Sequence, residues 1–386
     1  MSLTRIAGVV LLVLHVSGPL AGADWQGRES VEDGVLHIRN PERPIAVARI
    51  EPAELWRRGG ADDELVFGSI AAIRRDPAGS LYVLDSQNSE IYVFSAEGER
   101  LRTVGREGEG PGEFRGPVDM FLGPDNVLNV LQMFPPKIVR IDRDGTPRED
   151  FPLPEIEGGF QQVFRGKATS DRILLAGGQE KATAEGQKRV KFLRAFSPDG
   201  KELAHYHDEV ELVRFDGMEY DEKSWGNLVG RWSLSGDGRV AAVLGFDAYR
   251  IHVSKPDGTR DRIIERPDYV RLERSAEVRK ATQERFDRMI RWNAGSTIRI
   301  SATHRTIQSL WYRPGGELWV MASRGRLERS GERTLGYDVF DAKGRYVRRV
   351  WMKLDGIPAN DGFFFEGDGL YRVTEEMELV AYSMEG

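Results

Sequence analysis

The sequence predicts an all-β fold: a six-bladed β-propeller whose N-terminal strand closes the last blade, with one helical insertion. Three observations carry that prediction. Short strand patterns recur around the turn glycines Gly98 and Gly145, which lie 47 residues apart, a period that suits a four-stranded blade better than a solenoid coil. Six polar turns are each followed by a short apolar run, and a second series of turns follows five of them. The sixth unit lacks its last strand, and a strand-like segment near the N-terminus has the spacing to replace it.

Taken in chain order, residues 1–23 read as a secretory signal peptide. Arg5 supplies the positive end, Ile6 to Val16 the apolar core, and Ala21-Gly22-Ala23 the small-residue cleavage site. The apolar stretch is shorter than the roughly 20 residues of a spanning helix, so cleavage before Asp24 and a periplasmic or secreted protein with no later membrane insertion are expected. Residues 24–386 then form the propeller. Glu54–Arg58, followed by a Gly- and Asp-rich loop and Phe67, matches the spacing of Arg100–Val104 and its loop to Phe114, so it is the expected outer strand of the sixth blade. Residues 34–39 and 44–50 read as further strands against that same edge.

The first hairpin turns are Asp76–Gly79, Gly123–Asn126, Ser170-Asp171, Ser235–Gly238, Pro314–Gly316 and Gly367–Gly369. The outer turns are Glu97-Gly98, Asp144-Gly145, Asp199-Gly200, Asp257-Gly258 and Lys343-Gly344. Gly, Asn and Asp accept the positive φ that such turns need. The period breaks at about residues 268–295. Here Val278, Thr282, Phe286, Met289 and Ile290 recur at helical spacing, with Ser275 as N-cap and Gly295 as stop. A helix of roughly 18 residues docked by Phe286, Met289, Ile290 and Trp292 is expected, because an exposed helix of that length is marginal alone.

In a four-stranded meander the loops alternate between two rims. All the tight turns fall on one rim. The long segments fall on the other: 86–90, 105–115, 133–137, 177–189, 208–230, the helical insert and 323–334. Binding residues concentrate on irregular loops over a rigid scaffold, so the elaborated rim is the expected binding face.

The first two repeats resemble NHL-type six-bladed propellers of exported bacterial proteins. The resemblance rests on Leu81-Tyr-Val-Leu-Asp-Ser-Gln-Asn-Ser-Glu-Ile-Tyr-Val-Phe94 and the connector Gly110-Pro-Gly-Glu-Phe114, and fades to turns and spacing in later blades. It implies a fold and leaves activity open. Asp85 and Asn88 occupy polar turn positions of such repeats, where local backbone hydrogen bonding is the expected role.

Cysteine is absent, which removes disulfides, thiolate metal sites and Cys nucleophiles. The formal charge of −6 is spread without a basic stripe, so no nucleic-acid partner is expected. No Gly-x-Ser-x-Gly, His-Glu-x-x-His or complete phosphate-loop motif occurs. His205 and His207 alternate beside Asp208 without a third ligand at fixed spacing, so no metal or other cofactor is expected. The function read from this pattern is a monomeric, non-catalytic scaffold that binds a protein, peptide or glycan on the elaborated rim. Asp119, Arg231, His304 and Arg305 are its candidate binding residues, converging at the channel mouth. Arg106, Arg115, Arg324 and Arg326 either join a cationic mouth or are solvated. The alternative is a metal-dependent lactonase or lyase with its ion in the central channel, near Asp119, Asn227 and Asn360.

Overall fold

The computed structural model describes residues 24–60, 63–214, 217–225, 230–327, 334–354 and 361–384. The proposed signal peptide lies outside these residues. Blade 1 is a meander of Ile70–Arg75, Leu81–Asp85, Glu90–Phe94 and Arg100–Val104. Blade 2 has three strands, Pro117–Leu122, Leu128–Gln132 and Lys137–Ile141. Its fourth place is taken by irregular chain, tied through Arg148 N to Arg140 O at 2.9 Å and Phe151 N to Ile138 O at 2.9 Å. Blade 3 is the tallest: Gly159–Ala168, Ile173–Thr183, Gly186–Phe196 and Glu202–Val213. Blade 4 is Trp232–Leu234, Val240–Ala242, Arg250–Ser254 and Arg260–Glu265. Blade 5 is Ile307–Tyr312, Leu318–Ala322, Thr334–Phe340 and Tyr346–Lys353. Blade 6 is Gly362–Glu366, Gly369–Val373 and Leu379–Ser383, completed by Ala53–Arg58 antiparallel to its third strand.

The turn glycines fall where expected. Gly79, Gly98, Gly145, Gly200, Gly238, Gly258 and Gly344 all have positive φ, as does Asn126 at 59°. Any other side chain would be strained there, which is why these residues mark the period so clearly in the sequence.

Six apolar clusters lie between successive blades. Phe114 and Met120 pack with Tyr82 and Val104 between blades 1 and 2, and Phe121 with Phe192 and Phe196 between blades 2 and 3. Trp232 meets Tyr206 across blades 3 and 4, and Tyr249 meets Phe340 across blades 4 and 5. Trp319 and Tyr337 pack against Phe365 of blade 6. The last cluster joins Tyr371 and Leu379 of blade 6 to Phe67 and Phe94 of blade 1, so the ring is closed by packing as well as by strand pairing. Closure leaves no unpaired sheet edges between first and last blades.

Two expectations about the N-terminal segment need correction. Val35–Arg39 and Ala46–Ile50 are strands, but they do not extend blade 6. Val35–Arg39 runs parallel to the outer strand of blade 4, with Arg28–Glu32 paired beyond it. Ala46–Ile50 runs parallel to the outer strand of blade 5. The segment therefore passes along the outside of blades 4, 5 and 6 in turn. Asn40 pins the passage, donating to Gly344 O at 3.0 Å and accepting from Tyr346 N at 2.7 Å.

The insert contains one helix, α1, Ala276–Met289, shorter than the expected 18 residues. Ser275 is its N-cap, accepting from Val278 N at 3.3 Å. Phe286 and Ile290 are buried, whereas Val278, Met289 and Trp292 are largely exposed, so the docked stripe is narrower than its periodicity suggests. Phe286 and Ile290 pack on Tyr220, Ile298 and Trp225. Tyr220 and Ile298 belong to a two-stranded parallel sheet formed within the excursion itself, Glu219–Asp221 with Thr297–Arg299. A buried bidentate pair, Arg274 to Glu222 at 2.6 and 2.7 Å, with Ser301 N on Glu222 at 2.9 Å, fastens its base. A second helix, α2, Ser323–Leu327, has only five residues.

Candidate functional site

The long strands of blade 3 change the reading of two segments. Residues 177–189 and 208–213, expected as loops, continue the blade as paired strands beyond the body of the ring. One face of that extension presents Phe164, Gln162 and Gly178; opposite it stand Met289 of α1 and Trp225, which packs against Phe286 of the same helix. Between them is a cavity of about 700 Å³. Ser86 and Met133, from the second-hairpin loops of blades 1 and 2, also line it. The insert and the cavity are therefore on the elaborated rim, as the loop alternation requires. The volume falls within the range of small-ligand sites.

The lining is mostly apolar: Ala71, Pro117, Val118, Met133, Phe164, Ala176, Trp225 and Met289. Its charged residues divide into two kinds. Arg189 is held by Glu180 at 2.7 Å, and Lys191 by Glu209 at 3.1 Å and Glu211 at 3.5 Å, with a further bond to Ser224 O. Arg165 differs. Its Nη1 donates to the carbonyls of Val118 at 2.6 Å and Phe164 at 3.3 Å, and it has no carboxylate partner among the described residues. Gln162 beside it has no side-chain hydrogen bond among the described residues.

None of the four sequence-derived candidates lines this cavity. Asp119 is buried on the inner strand of blade 2, accepting from Arg74 of blade 1 at 2.9 Å and from Gly166 N of blade 3 at 3.0 Å. Arg74 also reaches Glu366 of blade 6 at 3.2 Å. Lys167 of blade 3 joins this knot: burial pushes its pKa down, partly opposed by Glu366 and reinforced by Arg74. Glu366 is pushed up by burial against the pull of Arg74 and Lys167. Side chains from blades 1, 2, 3 and 6 meet only across the axis, so this is an ionic knot in the channel.

Arg231 and Arg305 are neighbours in another place. Arg231 is 1% exposed and donates to Gly245 O at 2.7 Å. Burial and the adjacent Arg305 lower its pKa to about 9. Arg305 donates to Trp225 O at 2.9 Å and lies over the Phe246 ring at 5.3 Å. His304 is tied by its backbone N to Leu272 O at 2.8 Å, and burial, followed by nearby Arg274, lowers its pKa. Of these three, Arg305 touches the cavity lining, through the Trp225 carbonyl.

Other candidates resolve locally. Asp85 accepts from Gly68 N, Ser69 N, Gln87 N, Asn88 N and the Asn88 amide at 2.7–3.1 Å, the backbone role expected of it. Arg106 pairs with Glu113 and Arg115 with Glu109. Arg324 donates to Val270 O at 2.5 Å, and Arg326 to Asp361 O at 2.8 Å. His205 contacts Glu202, and no group of three His, Asp or Glu suited to a metal occurs among the described residues. Asn227 and Asn360 lie outside those residues.

A second cavity, about 590 Å³, opens on the tight-turn rim among Ser235–Asp237, Pro314–Gly316 and Gly344. Its walls are hairpin turns whose geometry the fold dictates. Two of its arginines, Arg239 and Arg262, are already paired with Asp237 and Asp261.

Residues 61–156 match the family described as DUF5128, a 6-bladed beta-propeller. No curated protein matches the chain. Among solved structures it is similar to a DUF4221 family member from Bacteroides vulgatus, at 12% identity and TM-score 0.49, covering 86% of this chain and 97% of that one. Virginiamycin B lyase from Staphylococcus aureus aligns at 9% identity and TM-score 0.46, covering 85% and 98%. Regucalcin, a calcium-binding protein from Agrobacterium tumefaciens, aligns at 10% and 0.45, covering 87% and 95%.

Phe164, Gln162 and Arg165 were not anticipated. Phe160, Val163 and Phe164 suit a strand, but nothing in one sequence says that this strand overhangs a cavity.

Proposed function

We propose that the chain is an exported, monomeric, non-catalytic binding module of the NHL-like kind that takes its partner at the elaborated rim. The observation that carries this reading is the cavity between the overhanging blade 3 and the α1 insert, the two departures from a plain propeller that face one another. Concave, largely apolar sites with a few convergent polar groups are the usual form of ligand recognition. A protein or peptide that inserts apolar groups suits this lining better than a glycan. Phe134 at the tip of the blade 2 loop is 82% exposed and adds apolar surface outside the cavity. Asp119, Arg231, His304 and Arg305 then act as supports of the mouth, with Arg305 holding Trp225.

The lactonase-like alternative needs free carboxylate or imidazole ligands in the channel. The channel carboxylates Asp119 and Glu366 are instead shared with Arg74 and Lys167, so the donor set does not fit a divalent ion.

The test is a thermal-shift screen of peptides and oligosaccharides against the native protein. A ligand that raises the melting temperature is expected to lose its effect in Met289→Arg and keep it in Asp237→Arg on the opposite rim. The reverse pattern sinks the proposal. N-terminal sequencing of exported protein is expected to begin at Asp24.

A further inference from the structure

Arg165 is a cation inside an otherwise apolar or internally paired site. Every other lining cation has a carboxylate within 4 Å, whereas among the described residues Arg165 meets only two carbonyl oxygens, through one of its three nitrogens. A guanidinium has five N–H donors in a planar fork, and a carboxylate or sulfonate matches two of them at once. Holding such a group half-buried without a counter-charge costs free energy that a bound anion returns. Its position is not accidental to the backbone either. Register slips between Val163 and Arg165, so Phe164 and Arg165 both line the cavity rather than pointing to opposite faces.

We propose that the cavity binds an apolar group of drug-like size carrying one negative charge, which Arg165 receives while Phe164, Met133, Trp225 and Met289 enclose the apolar body. This rests on the reading of the elaborated rim as the binding face and adds the chemistry of what enters it. Arg189 and Lys191, on the third strand of the same blade, are neutralised by Glu180, Glu209 and Glu211, so they offer no second anchor, and a dianion gains nothing further there. Gln162, adjacent and without a side-chain partner among the described residues, supplies the remaining polar contact.

Two fluorescent probes differing only in charge test this: 1-anilinonaphthalene-8-sulfonate and its uncharged parent N-phenyl-1-naphthylamine. Native protein is expected to bind the sulfonate roughly tenfold or more tightly than the parent, the equivalent of one charge-assisted hydrogen-bonded contact. Arg165→Gln should bring the two affinities together by weakening only the sulfonate. Gly178→Leu should weaken both, because a side chain at Gly178 projects into the cavity and its Cβ meets only the Phe164 ring, at 3.7 Å. Equal affinities in the native protein, or an Arg165→Gln variant that keeps the preference, overturn the anion assignment while leaving the cavity intact. Probe binding indifferent to Gly178→Leu, or no binding of either probe, removes the cavity itself and with it the proposed binding face. Unchanged melting temperature of the native-like variants separates these outcomes from misfolding.

Discussion

Asp338 and Arg165 are both charged groups carried inside the ring, and their surroundings treat them in opposite ways. Asp338, between blades 4 and 5, is 2% exposed and fully engaged. One oxygen accepts from Tyr346 at 2.7 Å and Arg349 at 2.7 and 2.9 Å, the other from Tyr249 at 2.8 Å and Arg266 at 2.6 Å. Arg266 in turn lies 4.4 Å over the Tyr346 ring and donates to Glu42 O of the N-terminal segment. Burial alone would raise the Asp338 carboxyl, but Arg266 and Arg349 override it and hold the group below its usual range. Arg165 has no such enclosure. The difference separates charge used to hold blades together from charge left available to a visitor. It is a better guide than residue type, because both centres are built from arginines on inter-blade surfaces.

The largest effect should come from breaking the closed centre. Asp338→Ala leaves Arg266 buried without its carboxylate partner and is expected to destabilise the protein by about 3–5 kcal/mol in urea unfolding. A loss below about 1 kcal/mol would mean that the centre is not structural, and the contrast with Arg165 would fail.

His252 lies between the extremes, with Nδ1 buried and unbonded among the described residues. Burial first, then the neighbouring Arg260, Arg250 and His207, lowers its pKa to about 4. An unfolded histidine takes up its proton near 6.5, so between those values the unfolded state binds more protons and stability falls as pH drops. The expected loss from pH 7.5 to pH 4 attributable to this group is about 3 kcal/mol at most, and His252→Asn should flatten that part of the profile. A profile that keeps its slope between pH 6.5 and pH 4 in the variant would place the titration elsewhere.

The smallest effect sharpens the comparison most. Arg165→Gln is expected to change stability by no more than about 0.5 kcal/mol, as for a residue outside any buried network, while altering anion preference. A large destabilisation would move Arg165 into the same class as Arg266.

The fold was legible because turns leave a chemical mark. Gly79, Gly98, Gly145 and their counterparts need positive φ, so the period survives even where strand residues diverge. The blade 3 overhang was not legible. Ala182-Thr-Ala-Glu-Gly186 has solvent on both faces and therefore no apolar alternation to betray a strand. The borrowed strands at Val35–Arg39 and Ala46–Ile50 were visible as strands, but their partners lie more than 200 residues away, and single-sequence pattern carries no pairing information. Candidate site residues failed to gather at the cavity for the same reason. Inner-strand starts place Asp119, Arg231 and Arg305 on the right elements, but side-chain company decides whether a charge faces the opening or a neighbouring blade.

The passage of residues 28–58 along blades 4, 5 and 6 also orders events in time. Blades 1 to 3 are built from consecutive chain and can form as synthesis proceeds. The outer strands of blades 4 and 5 and the third strand of blade 6 are made well after the first three blades, yet their partners are among the first strands of the chain. Apart from the local pairing of Arg28–Glu32 with Val35–Arg39, the earliest strands must therefore wait for partners made more than 200 residues later. Pairings of such long sequence separation are slow to form because loop-closure entropy is lost before any contact rewards it. The second half of the ring thus acquires its edges in successive late steps, blade 4 first and blade 6 last, and until then the N-terminal strands and the sheets of blades 4 to 6 are open to wrong partners.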